Sequence, residues 1–234
     1  MLERERLKID LGVMNSDSAE IDPFCRMGRS LDFSGLAVHS NLNRPEKTVE
    51  QMKIYRRVDI KGKSIGSIKK QIGQARNTSV ILTLEIGAID RTNWIVEDGR
   101  VDLLTINSSS EHSLRVTTAR LASEAEIALE IQIAPLLHTS GLNRSKMLKT
   151  YREAIETAHD NDMMVVITSG THIPMGLRSP VAMVHIGMLL GLDKSYAQKA
   201  IDDFPSVIVH RNLKKLDPSY VGKGVEIIKG SERA

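Results

Sequence analysis

A chain of 234 residues with 41% hydrophobic residues is long enough to bury one sizeable core, and with only 3% aromatics that core must be built from Ile, Leu, Val, Met and Ala. The single cysteine, Cys25, excludes an intrachain disulfide and a cysteine-based zinc site within one chain. The formal net charge of +3 is mild, but residues 53–76 hold eight basic residues against one acid, Asp59, and residues 142–152 hold four and none. Such a basic region is the expected footprint of a phosphate backbone, its alternative being a solvated face.

Strands are predicted at residues 7–13, 35–38, 54–58, 80–86, 102–106, 127–133, 164–168 and 207–210, all short and rich in Val, Ile and Leu. Helices are predicted between most of them. The first, 16–31, has Asn15, Ser16 or Asp17 as N-cap and carries Cys25, expected to be a buried, inert thiol. Helix 64–76 places Ile65, Ile68 and Ile72 on one face, and 111–123 does the same with Leu114, Thr118 and Leu121. Helix 145–160 turns Met147, Leu148, Tyr151, Ile155 and Ala158 inward. Helix 180–190 starts on Pro180 and stops at Gly191, and 195–204 follows.

Strand–helix alternation repeated seven or eight times argues for an α/β fold, a TIM-barrel-like (β/α) barrel with parallel strands and surrounding helices, as one domain over 1–234. A doubly wound open sheet competes with it. No Gly-x-Gly-x-x-Gly follows the first strand and no Walker-type loop occurs, which removes the simplest nucleotide-binding readings. The tail from about Tyr220 is expected to fray or to dock on a partner. The charged opening segment 1–8 lacks an apolar core, and no run of eighteen or more apolar residues occurs, so a soluble cytoplasmic protein without a signal peptide is expected.

Polar residues end many of the strands: Asp10, His39, Glu85, Asn107, Glu130 or Gln132, Thr168 and Ser169. On a barrel they converge near one mouth. One reading is therefore a metal-dependent phosphoesterase of the PHP-like barrel class using Asp10, His39, Glu85 and His172. Barrels of that class begin with a His-x-His strand end, whereas here the strand reads Ile9-Asp10-Leu11-Gly12-Val13, and no two of the seven histidines form a His-x-His or His-x-x-x-His pair. His39, His138 and His172 follow strands and are candidates for ligand or RNA contact. His159 ends a helix and can complement its dipole, and His185, among Val184, Ile186 and Met188, is expected to be packed or at a helix margin.

Arg91, Arg120, Arg144, Arg152 and Arg178 lie at or beside strand-to-helix junctions, where arginine forks and helix N-termini suit phosphate. With His172 and with Lys69 and Lys70 of the basic block they form the candidate RNA-contact set. Helix pairs Arg152–Glu156 and Arg120–Glu124 are the alternative use of two of them.

Four stretches carry a resemblance to a known family. They are Asp90-Arg91 with Arg100-Val101-Asp102-Leu103-Leu104; Ala119-Arg120-Leu121-Ala122 followed by 127–137; Tyr151-Arg152-Glu153-Ala154-Ile155; and Thr168-Ser169-Gly170 with Leu177-Arg178-Ser179-Pro180 and Leu190-Gly191-Leu192. In this order, over about residues 7–212, the chain resembles the archaeal and eukaryotic ribonuclease P protein component 3, the thirty-kilodalton subunit. It departs from the pattern at Asp90, at 115–118 and at Gly176. The resemblance implies a TIM-barrel-like, non-catalytic subunit of the ribonuclease P endonuclease, whose RNA removes 5′ leaders from precursor tRNA. It also implies ribonuclease P RNA and the component 2 subunit as partners, and magnesium for the holoenzyme RNA with no cofactor on the chain. A third reading is a scaffold that binds only protein through an apolar barrel surface.

Overall fold

The computed structural model describes residues 7–14, 21–40, 42–62, 64–106, 112–222 and 225–226. In chain order the elements are β1 (Ile9–Val13), α1 (Ile21–Ser30), β2 (Gly35–His39), β3 (Glu46–Val49), β4 (Met52–Ile60), α2 (Ile65–Ala75), β5 (Ile81–Glu85), α3 (Ile89–Asp98), β6 (Leu103–Thr105), α4 (Val116–Glu124), β7 (Ala128–Gln132), α5 (Ala134–His138), α6 (Gly141–His159), β8 (Val165–Thr168), α7 (Pro180–Leu189), α8 (Lys194–Lys199), α9 (Asp203–Leu216), β9 (Tyr220–Gly222) and β10 (Val225–Glu226). Strands pair in parallel in the order β1-β2-β4-β5-β6-β7-β8, and β3 adds an antiparallel edge to β4.

This order never reverses, so the sheet curls toward closure instead of winding both ways. The seam between β8 and β1 is bridged just past the end of β8. Val13 forms a parallel bridge with Thr171, and the Met14 N–H donates to the Thr171 carbonyl at 2.9 Å. The Ser169 N–H donates to Asp10 Oδ1 at 3.1 Å, and Ser169 Oγ to the Gly12 carbonyl at 3.3 Å. Asp10 and Ser169 are thus closure residues.

The first seven predicted strands are the barrel strands, but 207–210 is not an eighth. It lies inside α9. Three consecutive apolar residues there imitate a strand, yet the buried positions Pro205, Ile208, Val209 and Asn212 follow helical spacing, and Val207 faces solvent. Asp203 in the first turn and Lys214 and Lys215 in the last suit the helix dipole. Helix α3, absent from the sequence reading, buries Thr92, Ile95 and Val96 and stops at Gly99, whose φ of 69° suits a glycine cap. Ser64 and Ser179 cap α2 and α7 with hydrogen bonds from Ser67 N and Ala182 N, where the sequence placed those helix starts. The first helix begins at Ile21, and its predicted caps at 15–17 lie outside the described residues. Cys25 is buried in it, and burial pushes its thiol up to about 11. From Tyr220 the tail begins with β9, which pairs antiparallel with β10.

The two-residue period of the strands sorts side chains into two layers. Leu36, Val38, Ile54, Leu129, Ile131, Val165 and Ile167 join the helices in the outer core. Ile9, Leu11, Ala37, Tyr55, Ile81, Leu103, Ala128 and Val166 form an inner cluster with Ile208 and Val209, so α9 plugs the end of the barrel where the strands begin. The polar residues then rise toward the other end. An irregularity in β1 between Asp10 and Val13 brings Gly12 against the lumen, where a Cβ would stand 2.4 Å from Thr168 Oγ1. Gly12→Ala is expected to cost about 1–3 kcal/mol through overpacking, read as a lowered urea midpoint; an unchanged midpoint would show that the seam yields.

Candidate functional site

Above the apolar plug the lumen holds a buried charge network. Arg57 on β4 and Glu130 on β7 are 1% and 0% exposed and meet across the barrel. Two bonds join them, Nη1 to Oε1 at 2.5 Å and Nη2 to Oε2 at 2.8 Å. Arg57 also donates to the Leu11 carbonyl at 2.6 Å and to Asp59 Oδ1 at 2.8 Å. Glu130 further accepts from Thr105 (2.6 Å), Thr168 (2.8 Å) and Gln132 (3.3 Å). Asp59 takes the Thr83 hydroxyl on Oδ1 and stands 3.2 Å from His39 Nδ1 through Oδ2. Every strand of the parallel barrel but β1 gives this network a side chain, because residues two apart on each strand face the lumen.

Burial would raise the Asp59 carboxyl, but the Arg57 charge and the hydrogen bonds from His39, Thr83 and Arg57 hold it well below the usual carboxylate range. Burial likewise opposes the charge on Arg57, and Glu130 and Asp59 outweigh it. Asp10 goes the other way: burial raises it despite hydrogen bonds from Ser169 and Gly12. A depressed folded-state pKa adds stability above the unfolded value, near pH 4, and that stability is lost as pH falls below it. Asp59→Asn is therefore expected to be less stable than the parent at neutral pH, with the gap between the two urea midpoints starting to narrow only below about pH 4 and closing as pH falls through the far lower folded value. Parallel pH profiles would overturn this assignment. A raised pKa has the opposite sign, so Asp10 opposes the acid loss.

Above this floor the mouth opens as a cavity of about 380 Å³. His39, Lys61, Glu85, Gln132 and His172 are among its lining residues, with Asp59, Thr83 and Thr105 below them. Of the sequence-predicted strand ends, His39, Glu85 and Gln132 reach the mouth, Glu130 and Thr168 lie under it, Asp10 and Ser169 hold the seam, and Asn107 lies outside the described residues.

The predicted basic contacts divide. Arg91, in the first turn of α3 after β5, donates to the Gly62 carbonyl at 3.3 Å and covers Gly87, where a Cβ would meet its guanidinium. Arg178 donates to the Met175 and Leu177 carbonyls in the same β8–α7 segment as His172, and His172 Nδ1 stands 3.1 Å from the Met14 carbonyl. Arg144, at the start of α6, donates to the Thr139 carbonyl. Lys69 and Lys70 are exposed on α2. Arg120 is bonded to Asn161, and Arg152 caps α7 through the Leu189 carbonyl, in place of the helix pairs with Glu124 and Glu156. His138 is exposed at the end of α5, and His159 packs edge-on against Tyr196. His185 is exposed on α7, its ring bonded to the Val181 carbonyl.

The basic block is less of a surface than its count implies. Arg57 is internal, and Arg76 is spent on Asp102, which Arg211 and Asn212 also bind at the α9 end. The sequence reading missed Arg57 and Asp59 as the centre of the lumen. Their signal was an arginine inside the predicted apolar strand 54–58 with an acid two residues on, at its end.

The metal-centred arrangement of Asp10, His39, Glu85 and His172 does not form. Asp10 is turned to the seam, and among the described residues no group of three His, Cys, Asp or Glu side chains could hold a metal ion. These residues do not fit the metal that a PHP-like hydrolase needs. Among the described residues no helix is long and apolar enough to cross a membrane.

The sequence profile described as RNase P subunit p30 matches residues 7–216. A Methanosarcina acetivorans protein named ribonuclease P protein component 3 is 28% identical over 213 residues, 88% of either chain. A Methanococcoides burtonii protein of the same name is 26% identical, covering 99% of this chain and 97% of its own. A chain from the cryo-EM structure of archaeal ribonuclease P with mature tRNA superposes with a TM-score of 0.79 at 22% identity, over 96% of this chain and 100% of its own. Aspergillus niger ochratoxinase reaches a TM-score of 0.51 at 10% identity, over 84% of this chain and 69% of its own. These structural likenesses concern the fold.

Proposed function

The chain belongs to the RNase P subunit p30 family, and on that premise we propose that it serves as a protein subunit of ribonuclease P, supporting RNA-catalysed removal of 5′ leaders from precursor tRNA. The observation that carries the reading is the profile match over residues 7–216, which takes in the whole barrel from β1 through α9. The chain binds ribonuclease P RNA and meets precursor tRNA through the complex, in the cytoplasm. Magnesium serves the RNA, and the chain itself cuts nothing.

The chemistry of the lumen supports this. Its carboxylates Glu130 and Asp59 are tied to Arg57 and to strand hydroxyls, which is the condition of structural groups and not of a poised acid–base pair. Folding a polyanion brings phosphates together, and Lys and Arg lower that repulsion. Structured RNA is read mostly through shape and backbone, a task for Arg91, Arg144, Arg178, Lys69, Lys70 and His172.

Component 2 is the protein partner in this reading. Helix α7 fits a protein-covered surface: it buries Met183, Val184 and Gly187 yet leaves Val181, Met188 and Leu189 exposed.

The test is reconstitution. The purified chain, the component 2 subunit and the cognate RNA are mixed with precursor tRNA at modest magnesium, and leader release is scored. Cleavage is expected to need the RNA and to rise sharply when the chain is added. Equal cleavage without the chain would end the reading.

A further inference from the structure

We propose that the mouth cavity receives one unpaired nucleobase of the RNA, held through amino or imino N–H groups on its edge. The inference rests on the RNA-binding reading above and gives the mouth a ligand class.

Charge decides which part of a nucleotide enters. Arg57 lies against Glu130, so its positive charge is spent, and Asp59 leaves the floor with one carboxylate in excess. Glu85 adds another, exposed and without a partner among the described residues. A phosphate is repelled from such a floor. Beyond it the sign reverses, with Lys61 on the wall, Arg91 in the first turn of α3 after β5, and Arg178 in the segment between β8 and α7. A polynucleotide is therefore held by its backbone outside and can only put a base inside.

Size and chemistry agree. A volume of about 380 Å³ lies at the small end of ligand pockets. The acceptors are carboxylates, Glu85 and Asp59, and carboxylates take the amino group of cytosine or the N–H groups of other bases. The Gln132 amide can both donate and accept. His39 and His172 place two flat rings on the walls, the kind of side chain on which splayed RNA bases stack. A uracil, with no amino group, makes fewer of these contacts.

The experiment uses the full chain and short single-stranded RNAs of equal length: all cytosine, all uracil, and abasic. Binding is followed by fluorescence anisotropy at one salt concentration. The cytosine strand is expected to bind about tenfold more tightly than the abasic strand, with uracil between. Glu85→Ala is expected to collapse cytosine onto uracil. The ratio is the readout, because losing a carboxylate strengthens every strand through charge alone. Glu85 is exposed, so the variant is expected to keep its fold, with an unchanged circular dichroism spectrum as the check.

Equal binding of cytosine and abasic strands, or a ratio unmoved by Glu85→Ala, would overturn the proposal. Failure here with chain-dependent leader cleavage intact leaves the subunit reading standing. A cytosine preference without chain-dependent cleavage would do the reverse.

Discussion

Removing Arg57 is expected to destabilise the barrel by about 3–5 kcal/mol, among the largest losses any single substitution in this chain produces. Arg57→Met leaves Glu130 and Asp59 facing each other in the lumen with no cation between them. Buried like charges without a partner are the costliest outcome of breaking an ion pair. Glu130→Gln is expected to cost less, because Asp59 still neutralises Arg57. It nevertheless strips a carboxylate from the Thr105, Thr168 and Gln132 donors. Pairing the two changes removes both charges, so the double variant is expected to recover part of the loss, with a coupling energy of up to about 3 kcal/mol. Urea unfolding of the four proteins measures this cycle. A single-variant loss of under about 1 kcal/mol would mean that water or relaxation absorbs the charge.

The second large effect concerns RNA. Arg91→Ala with Arg178→Ala is expected to lower leader cleavage at limiting magnesium and to reduce the salt dependence of RNA binding by about one unit of slope per arginine. Both residues follow the C-terminal ends of strands, β5 and β8, on the side of the barrel that carries the mouth, with guanidinium N–H groups left over after their carbonyl bonds. Arg152→Ala is the contrast. Its guanidinium serves the Leu189 carbonyl at the end of α7, so the expected loss is in stability, with the slope unchanged. An unchanged slope in the double mouth variant would remove Arg91 and Arg178 from the interface while leaving the subunit reading to the reconstitution.

Much of this protein was legible in its amino-acid order. Seven barrel strands, the Ser64 and Ser179 helix starts and the buried Cys25 follow from local rules of period, capping and burial, and these need only neighbouring residues. The same rules misled at 207–210, where Val207-Ile208-Val209 has strand composition but supplies the helical plug. They missed α3, where the helical spacing of the buried face is completed by the polar Thr92 beside Ile95 and Val96.

What the local rules could not reach is which distant residues meet. Arg57 and Glu130 are 73 positions apart and Asp10 and Ser169 159 apart. Only closure of the sheet brings each pair together. In the sequence Arg57 counted as one more surface cation and Asp10 as a possible ligand. In the barrel the first neutralises a buried carboxylate and the second stitches the seam. Charge along a chain says how much basic surface is possible; the curl of the sheet decides how much of it remains free, because burial forces a charged side chain to find a partner.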